Sequence, residues 1–418
     1  MLLTSLLLLA CAVPQQDTLT PAARRVLADV RWLADDAREG RGVGTAGLAA
    51  AGQYVADGLR AAGARPGGAA GSYFQNFVID PSAPGAMHSN TGGDTTRNVV
   101  AVLRGTSLPG EVVVVGAHYD HLGRGGFGAL DDPDSTGKIH NGADDNASGT
   151  AAVMEIARRL AGSRHARTIV LLAFSGEELG DLGSEYFVKH PLVEPVDSIY
   201  AMVNLDMVGR LRNEKLLASG AATAKEFPAL LDSLNRTADG HFDLRASGDG
   251  WGPSDHASFY AAKRPVLFFF TDLHEDYHKS TDDWQKINAA GLARVAAFAG
   301  DAVLALANRP APLTFVDAPQ PQTSMGGAGY GAYLGTIPDM SESPGGVRIS
   351  GVRAASPAEK AGLQSGDVIT AIGAKTVANL YDMTDALRAH QPGDTVTIVV
   401  QRAGARLTLT AVLGKRGG

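Results

Sequence analysis

Between Val112 and Gly149 the chain changes character in a way that few folds accommodate. An apolar run, Val112-Val113-Val114-Val115-Gly116-Ala117, breaks into His118-Tyr119-Asp120-His121, and Gly142-Ala143-Asp144-Asp145-Asn146-Ala147-Ser148-Gly149 follows. Consecutive β-branched residues read as a strand buried on both faces, the mark of a parallel sheet. A metal-binding side chain at the end of such a strand lies at the carboxyl edge of the sheet, where open α/β sheets hold their ligands.

The same arrangement recurs downstream. Thr168 to Phe174 (TIVLLAF) runs into Ser175-Gly176-Glu177-Glu178, and Ile199 to Leu205 (IYAMVNL) runs into Asp206-Met207-Val208-Gly209. Arg264 to Phe270 (RPVLFFF) leads to Asp272-Leu273-His274-Glu275-Asp276-Tyr277-His278. Helical stretches such as Ala151 to Leu160 separate these strands, which predicts right-handed crossovers and an α/β fold with a mostly parallel central sheet and helices on both faces. Each acidic or histidine cluster then converges on one sheet edge. Upstream, Pro21 to Ala34 and Ala46 to Ala62 read as helices, and Ser72 to Phe77 and Arg97 to Leu103 as strands pairing near the central one. The glycine-rich Gly40 to Thr45 follows no strand and precedes no Lys-Ser/Thr, so it is not read as a phosphate cradle.

His118, Asp145, Glu178, Asp206 and His278 form a mixed imidazole and carboxylate set that suits zinc or a similar divalent ion, and five ligands exceed what one catalytic zinc takes. Two ions sharing a bridging carboxylate fit better. Within the pair Asp144-Asp145 the residues alone do not say which member bridges, since Asp144 also suits the start of a helix. Asp120, two residues beyond His118 on the same side of a strand, is placed to orient its ring. Glu177 adjoins a ligand yet points elsewhere, which suits a general base.

These motifs, Gly116 to Asp120, Gly142 to Gly149, Ser175 to Glu178, Asn204 to Met207 and Tyr277-His278, resemble those of the M28 family of zinc aminopeptidases over about residues 20 to 307. The resemblance implies the zinc-dependent exopeptidase fold and two Zn2+ ions. It implies that His118 and Asp206 hold one zinc, that Glu178 and His278 hold the other, and that Asp145, three residues before Ser148, bridges them. It further implies a cis peptide between Asp145 and Asn146, Glu177 as the base, Tyr277 as a donor to the tetrahedral oxyanion, and a supporting position for Asp255 in Ser254-Asp255-His256. The related glutaminyl cyclase branch uses one zinc and lacks this full ligand set. A carboxypeptidase on the same fold, or a scaffold that only binds, are the alternative activities.

The catalytic unit is expected over residues 18 to 308, followed by a proline-rich spacer over 309 to 325 that begins Arg309-Pro310-Ala311-Pro312. From 326 to 418 the sequence resembles a small β-rich PDZ domain, carried by Ser356-Pro357-Ala358-Glu359-Lys360-Ala361-Gly362-Leu363 and Gly366-Asp367-Val368-Ile369. The resemblance implies that Tyr333-Leu334-Gly335 is a carboxylate-binding loop for a peptide C-terminus added as a strand. A packing domain without a ligand is the plain alternative.

At 418 residues with 44% hydrophobic and 19% charged, the chain is long enough for such units. Its net charge of −7 argues against nucleic acid or an anionic membrane surface as partner. The only cysteine, Cys11, follows the apolar Met1 to Ala10. This start resembles a bacterial lipoprotein signal peptide over residues 1 to 11, which implies a lipid anchor at Cys11 and a place in the cell envelope, periplasm or outer membrane; a plain secretory signal is the alternative. No intramolecular disulfide is possible with a single cysteine.

Overall fold

A computed structural model describes residues 19–414 apart from 127, 132–136, 238–239, 247, 319–331, 339–344, 354 and 379. The expected signal segment with Cys11, the second part of the expected spacer and the first residues of the expected PDZ unit lie outside the described residues.

The larger unit is a nine-stranded sheet. Its strands are β1 (Arg65–Pro66), β2 (Phe74–Val78), β3 (Thr95–Leu103), β4 (Leu108–His118), β5 (Arg167–Phe174), β6 (Ile199–Leu205), β7 (Lys215–Ser219), β8 (Asp243–Ala246) and β9 (Val266–Phe270). They lie in the order β1-β3-β5-β4-β6-β9-β7-β8, and β2 also pairs with β3, at residues 95–99, where β1 pairs at 101–102. The four strands foreseen as buried runs, β5, β4, β6 and β9, are parallel neighbours. The flanks are reversed: β3 joins β5, and β7 joins β9, antiparallel. The parallel sheet is therefore the centre of a mixed one, and β7 and β8 are strands too short and too polar at their ends to announce themselves in the sequence.

Alternation along β4 shows why its valines are uninterrupted. Val113, Val115 and Ala117 enter one hydrophobic layer, while Val112 and Val114 enter the other. The first layer is built by the helices Pro21–Leu33, Ala46–Ala61, Gly149–Leu160 and Ala289–Asn308, the second by Leu182–Lys189 and His256–Ala261. Both faces exclude water from Val112 to Ala117, so no position in that run calls for a polar side chain. Ala289–Asn308 is long and apolar enough to cross a membrane. Here it is a core helix, with Leu292, Val295, Phe298, Val303 and Leu306 fully enclosed.

The smaller unit is a six-stranded sheet, β10 (Thr336–Pro338), β11 (Val347–Val352), β12 (Val368–Ile372), β13 (Lys375–Thr376), β14 (Thr395–Arg402) and β15 (Ala405–Val412). Leu334, Ile349, Leu363, Ile369, Ile372, Ile398 and Val400 fill its core. The helix Pro357–Lys360 starts where Ser356 accepts a bond from the Glu359 amide.

The proline-rich segment departs from a spacer in its first half. Lys225 N donates to Thr314 O (3.1 Å), Val316 N to Thr223 O (2.9 Å) and Ala318 N to the Tyr260 hydroxyl (2.7 Å), while the Trp251 indole donates to Ala318 O (3.1 Å). Leu313, Phe315 and Ala318 also pack on the two layers of the larger unit. Burial of these residues ties the chain down despite the prolines around them.

Candidate metal centre

The parallel order β5-β4-β6-β9 brings four strand ends side by side, and with them Glu177 and Glu178, His118, Asp206 and His278. Asp145 arrives from the turn Gly142–Ser148 that leads into the helix Gly149–Leu160, and its peptide bond to Asn146 is cis.

Around Asp145 the donors divide in two. Its Oδ1 is 3.4 Å from His118 Nε2, which is 3.4 Å from Asp206 Oδ1. Its Oδ2 is 3.2 Å from His278 Nε2, which is 3.2 Å from Glu178 Oε2. Ligands of one tetrahedral zinc at 2.0–2.2 Å stand about 3.4 Å apart, so each half has the spacing of a ligand set. His118 Nε2 and Asp206 Oδ1 are buried and lack hydrogen-bond partners, which in a folded interior asks for a further group. The ring tautomers agree. His118 Nδ1 lies 3.2 Å from the Asp120 carbonyl and His278 Nδ1 lies 2.8 Å from the Gly128 carbonyl, so both rings donate from Nδ1 and keep the Nε2 lone pair for the site. The residues thus fit divalent metal, zinc by donor type, with one carboxylate between two positions.

Electrostatics point the same way. Burial pushes the Glu177 carboxyl well above its usual range, and the charges of Asp181, Glu178 and Asp206 add to this against the opposing pull of His118. Asp181 is pushed up to about 7 and Asp120 to about 6, both chiefly by burial. Burial would lower His278, but Glu178 and Asp145 outweigh it and raise the imidazole to about 10, so with no cation beside them these carboxylates draw onto Nε2 the proton that a bound metal would displace. Carboxylates outnumber imidazoles here, so the site attracts cations.

Other residues hold this arrangement. Asp144 is no ligand: its Oδ1 accepts from Gly209 N (2.6 Å) and Ser148 Oγ (2.9 Å), and its Oδ2 faces His274 Nε2 at 3.1 Å. Asp282 Oδ2 accepts from both Asp144 N (2.8 Å) and Asp145 N (3.1 Å), while its Oδ1 takes Arg210 Nη2 at 2.7 Å. The Asp120 carboxylate does not grip the His118 ring, from which its Oδ1 stands 3.8 Å away; it accepts the amides of Glu177 (3.3 Å) and Glu178 (3.4 Å). The reason is that β4 ends at His118, so the side chain two residues on turns toward the end of β5. Asp206 is held by Ser254, whose hydroxyl donates to Oδ2 at 2.9 Å. Asp255, the neighbour expected to support the ligands, is fully buried and neither of its oxygens bonds to any of them. It starts the helix His256–Ala261, and burial together with the charge of Asp181 pushes its carboxyl well above the usual range. Tyr277 stacks on His278 with ring centroids 3.9 Å apart, beside Phe268 and Phe270.

Like Asp282, Arg41 and His121 have no role in the sequence reading. Arg41 lies in the glycine-rich run and is fully enclosed; its guanidinium donates to the carbonyls of Tyr119 (2.8 Å), Leu33 (2.9 Å), Asn141 (2.7 Å) and Gly142 (2.8 Å), which fixes both ends of the loop between His118 and Asp145. Burial lowers its pKa to about 10, with Asp145 and Asp120 pulling it back up. His121 Nδ1 lies 2.6 Å from Glu178 Oε1, and its only signal in the sequence is its place directly after His118-Tyr119-Asp120.

Residues 98–303 match peptidase family M28, and residues 332–413 match the PDZ domain. The chain carries an M28 peptidase domain. A probable zinc metalloprotease of Leptosphaeria maculans is 41% identical over 112 residues, 27% of this chain and 24% of that protein. Aminopeptidase YwaD of Bacillus subtilis is 30% identical over 220 residues, 50% of this chain and 44% of that protein. The chain therefore spans less than half the length of these curated relatives. A Zn-dependent exopeptidase from Parabacteroides distasonis shares the fold of the M28 domain, with a TM-score of 0.55 over 69% of this chain and 98% of that one at 22% identity.

Proposed function

We propose that this protein is a dinuclear zinc aminopeptidase that removes N-terminal residues from peptides in the bacterial cell envelope, with its PDZ domain binding a peptide or protein. The observation that carries it is the division of Asp145 between two imidazole and carboxylate pairs, His118 with Asp206 and His278 with Glu178. Zinc ions held there would supply an activated water and polarise the peptide carbonyl. Glu177, 13% exposed with Oε2 3.7 Å from His118 Nε2, stands beside the His118 and Asp206 pair without sharing Asp145, and is assigned as the base that takes the water proton and returns it to the leaving amine. Tyr277 adjoins His278 and is assigned to the carbonyl oxygen as it gains charge.

A carboxypeptidase would need guanidinium groups for the substrate's terminal carboxylate. Arg210 and Arg212, which follow Asp206, are engaged with Asp276 and Asp282 and with the carbonyls of Thr271, Asp272 and Leu273. This favours the aminopeptidase. Metal analysis of the full chain together with aminoacyl fluorogenic substrates and their N-acetylated forms tests the reading. About two zinc ions per chain and cleavage of the free-amine substrates alone are expected; cleavage of N-blocked peptides from the carboxyl end, or no hydrolysis with metal bound, overturns it. Envelope location and a lipid at Cys11 are supported by the Leu6 to Cys11 sequence. Cys11→Ser is expected to leave the membrane fraction.

A further inference from the structure

We infer that His121 is a positioning residue for Glu178: its Nδ1–H fixes one carboxylate oxygen so that the other is presented beside His278 and the bridging Asp145. This rests on the dinuclear reading above.

Three histidines facing Asp145 or Glu178, namely His118, His278 and His121, differ in how their nitrogens are used. His118 and His278 spend Nδ1 on backbone carbonyls and turn Nε2 to the carboxylates. His121 does the reverse. Its Nδ1 meets Glu178 Oε1 at 2.6 Å, and its Nε2 is buried without a partner. His121 Nδ1, Asp145 and Glu178 lie close enough together to be considered as ligands of one ion. At 2.6 Å, however, His121 Nδ1 and Glu178 Oε1 are at hydrogen-bond distance, closer than the roughly 3.4 Å between ligands of one zinc, so His121 is assigned to holding a ligand rather than being one.

The fold fixes the ring closely. The His121 amide donates to the Arg41 carbonyl at 3.1 Å. The ring lies against Gly142, where a Cβ would come 2.4 Å from His121 Cδ2, and Gly142 itself has φ +53, so only glycine leaves room for the ring there. The carbonyl of Gly142 is in turn held by Arg41 at 2.8 Å. Glu178 is thereby gripped at two points, its amide by Asp120 Oδ2 (3.4 Å) and its Oε1 by His121, and only Oε2 remains for the site, 3.2 Å from His278 Nε2. Without His121 the carboxylate would be free to rotate, and the second metal position would lose a preorganised oxygen.

The test compares His121→Leu with His121→Asn, whose amide nitrogen can replace the Nδ1 donor, in the full chain. Chelator competition measures the affinity of each zinc, steady-state kinetics separate kcat from KM, and the melting temperature of the metal-free protein reports folding. His121→Leu is expected to weaken the second zinc by roughly 10-fold to 100-fold and to lower kcat more than KM, with His121→Asn restoring most of both. If Asn loses one zinc as completely as Leu, His121 is itself a ligand and the positioning role fails. If both variants keep wild-type affinity and change only the melting temperature, the residue is merely structural and the proposal is overturned. Wild type holding fewer than two ions overturns the dinuclear reading and this role with it, whereas two ions in wild type and in His121→Leu alike, equally tight, overturn this role alone.

Discussion

The M28 and PDZ domains offer different material for recognition. In the first, side chains from four strand ends and one turn meet at a few ångströms, and changing one atom changes what can bind. In the second, the candidate surface is backbone: among the described residues β10 ends its sheet with one neighbour, β11, and Leu334 and Gly335 precede it. Point substitutions should therefore be severe in one domain and mild in the other.

The largest effects belong to the metal centre. Asp145→Ala is expected to lose metal and activity together, since both halves of the site share that carboxylate. Glu177→Gln should keep about two zinc ions yet lose turnover by roughly 100-fold to 10,000-fold, on the order of 3–5 kcal/mol of barrier. Metal content measured beside kcat separates the two. Normal turnover in Glu177→Gln with metal retained would remove the assigned base.

How legible the site was follows from this contrast. His118, Asp145, Glu177, Glu178, Asp206 and His278 stand beside buried strands or in a short motif, where carboxylates and imidazoles have few structural reasons to cluster. Arg41, Asp282 and Ser254 act across sequence gaps of 101 residues to Gly142, 138 to Asp144 and 48 to Asp206. They bind backbone groups or a ligand's outer oxygen, so no local pattern points to Arg41 or Asp282, and the Ser254-Asp255-His256 motif pointed to Asp255 rather than to the serine. Strands β7 and β8 were missed because they complete the sheet from its edge, where short segments suffice. Their parallel neighbours β4, β5, β6 and β9 were plain because burial on both faces leaves uninterrupted apolar runs.

A middle-sized effect tests where the catalytic unit ends. Composition alone puts the boundary near Asn308, but the hydrogen bonds of Thr314–Ala318 to Thr223, Lys225, Trp251 and Tyr260 put those residues with the M28 domain. Trp251 lies on the loop that carries Ser254 to Asp206. Removing residues 326–418 is expected to leave hydrolysis of a small dipeptide-like substrate nearly unchanged. Removing everything after Asn308 should lower the melting temperature by several degrees and weaken metal retention as that loop loosens. Equal behaviour of the two truncations would show that the strapped segment contributes nothing.

The smallest effect is a pH dependence confined to the PDZ domain. Asp367 is enclosed, and its oxygens accept from Arg402 Nε (2.6 Å), Arg402 Nη2 (2.8 Å) and Gln364 N (2.9 Å), tying the turn before β12 to β14. Burial alone would raise this carboxyl, but the Arg402 and Gln364 bonds outweigh it and hold it below its ordinary value. A carboxylate lowered on folding stabilises fully above its unfolded pKa, about 3.9, and loses that contribution as pH falls through the lower folded value. Asp367→Asn should thus speed hydrogen exchange of the Val368–Ile372 and Thr395–Arg402 amides at neutral pH, with wild type converging on the variant only below about pH 4. The M28 ligands should not respond to this substitution. A gap between variant and wild type that stays constant down to pH 2 would mean that the Asp367 charge is not what ties the turn, and would leave shape alone as the cause.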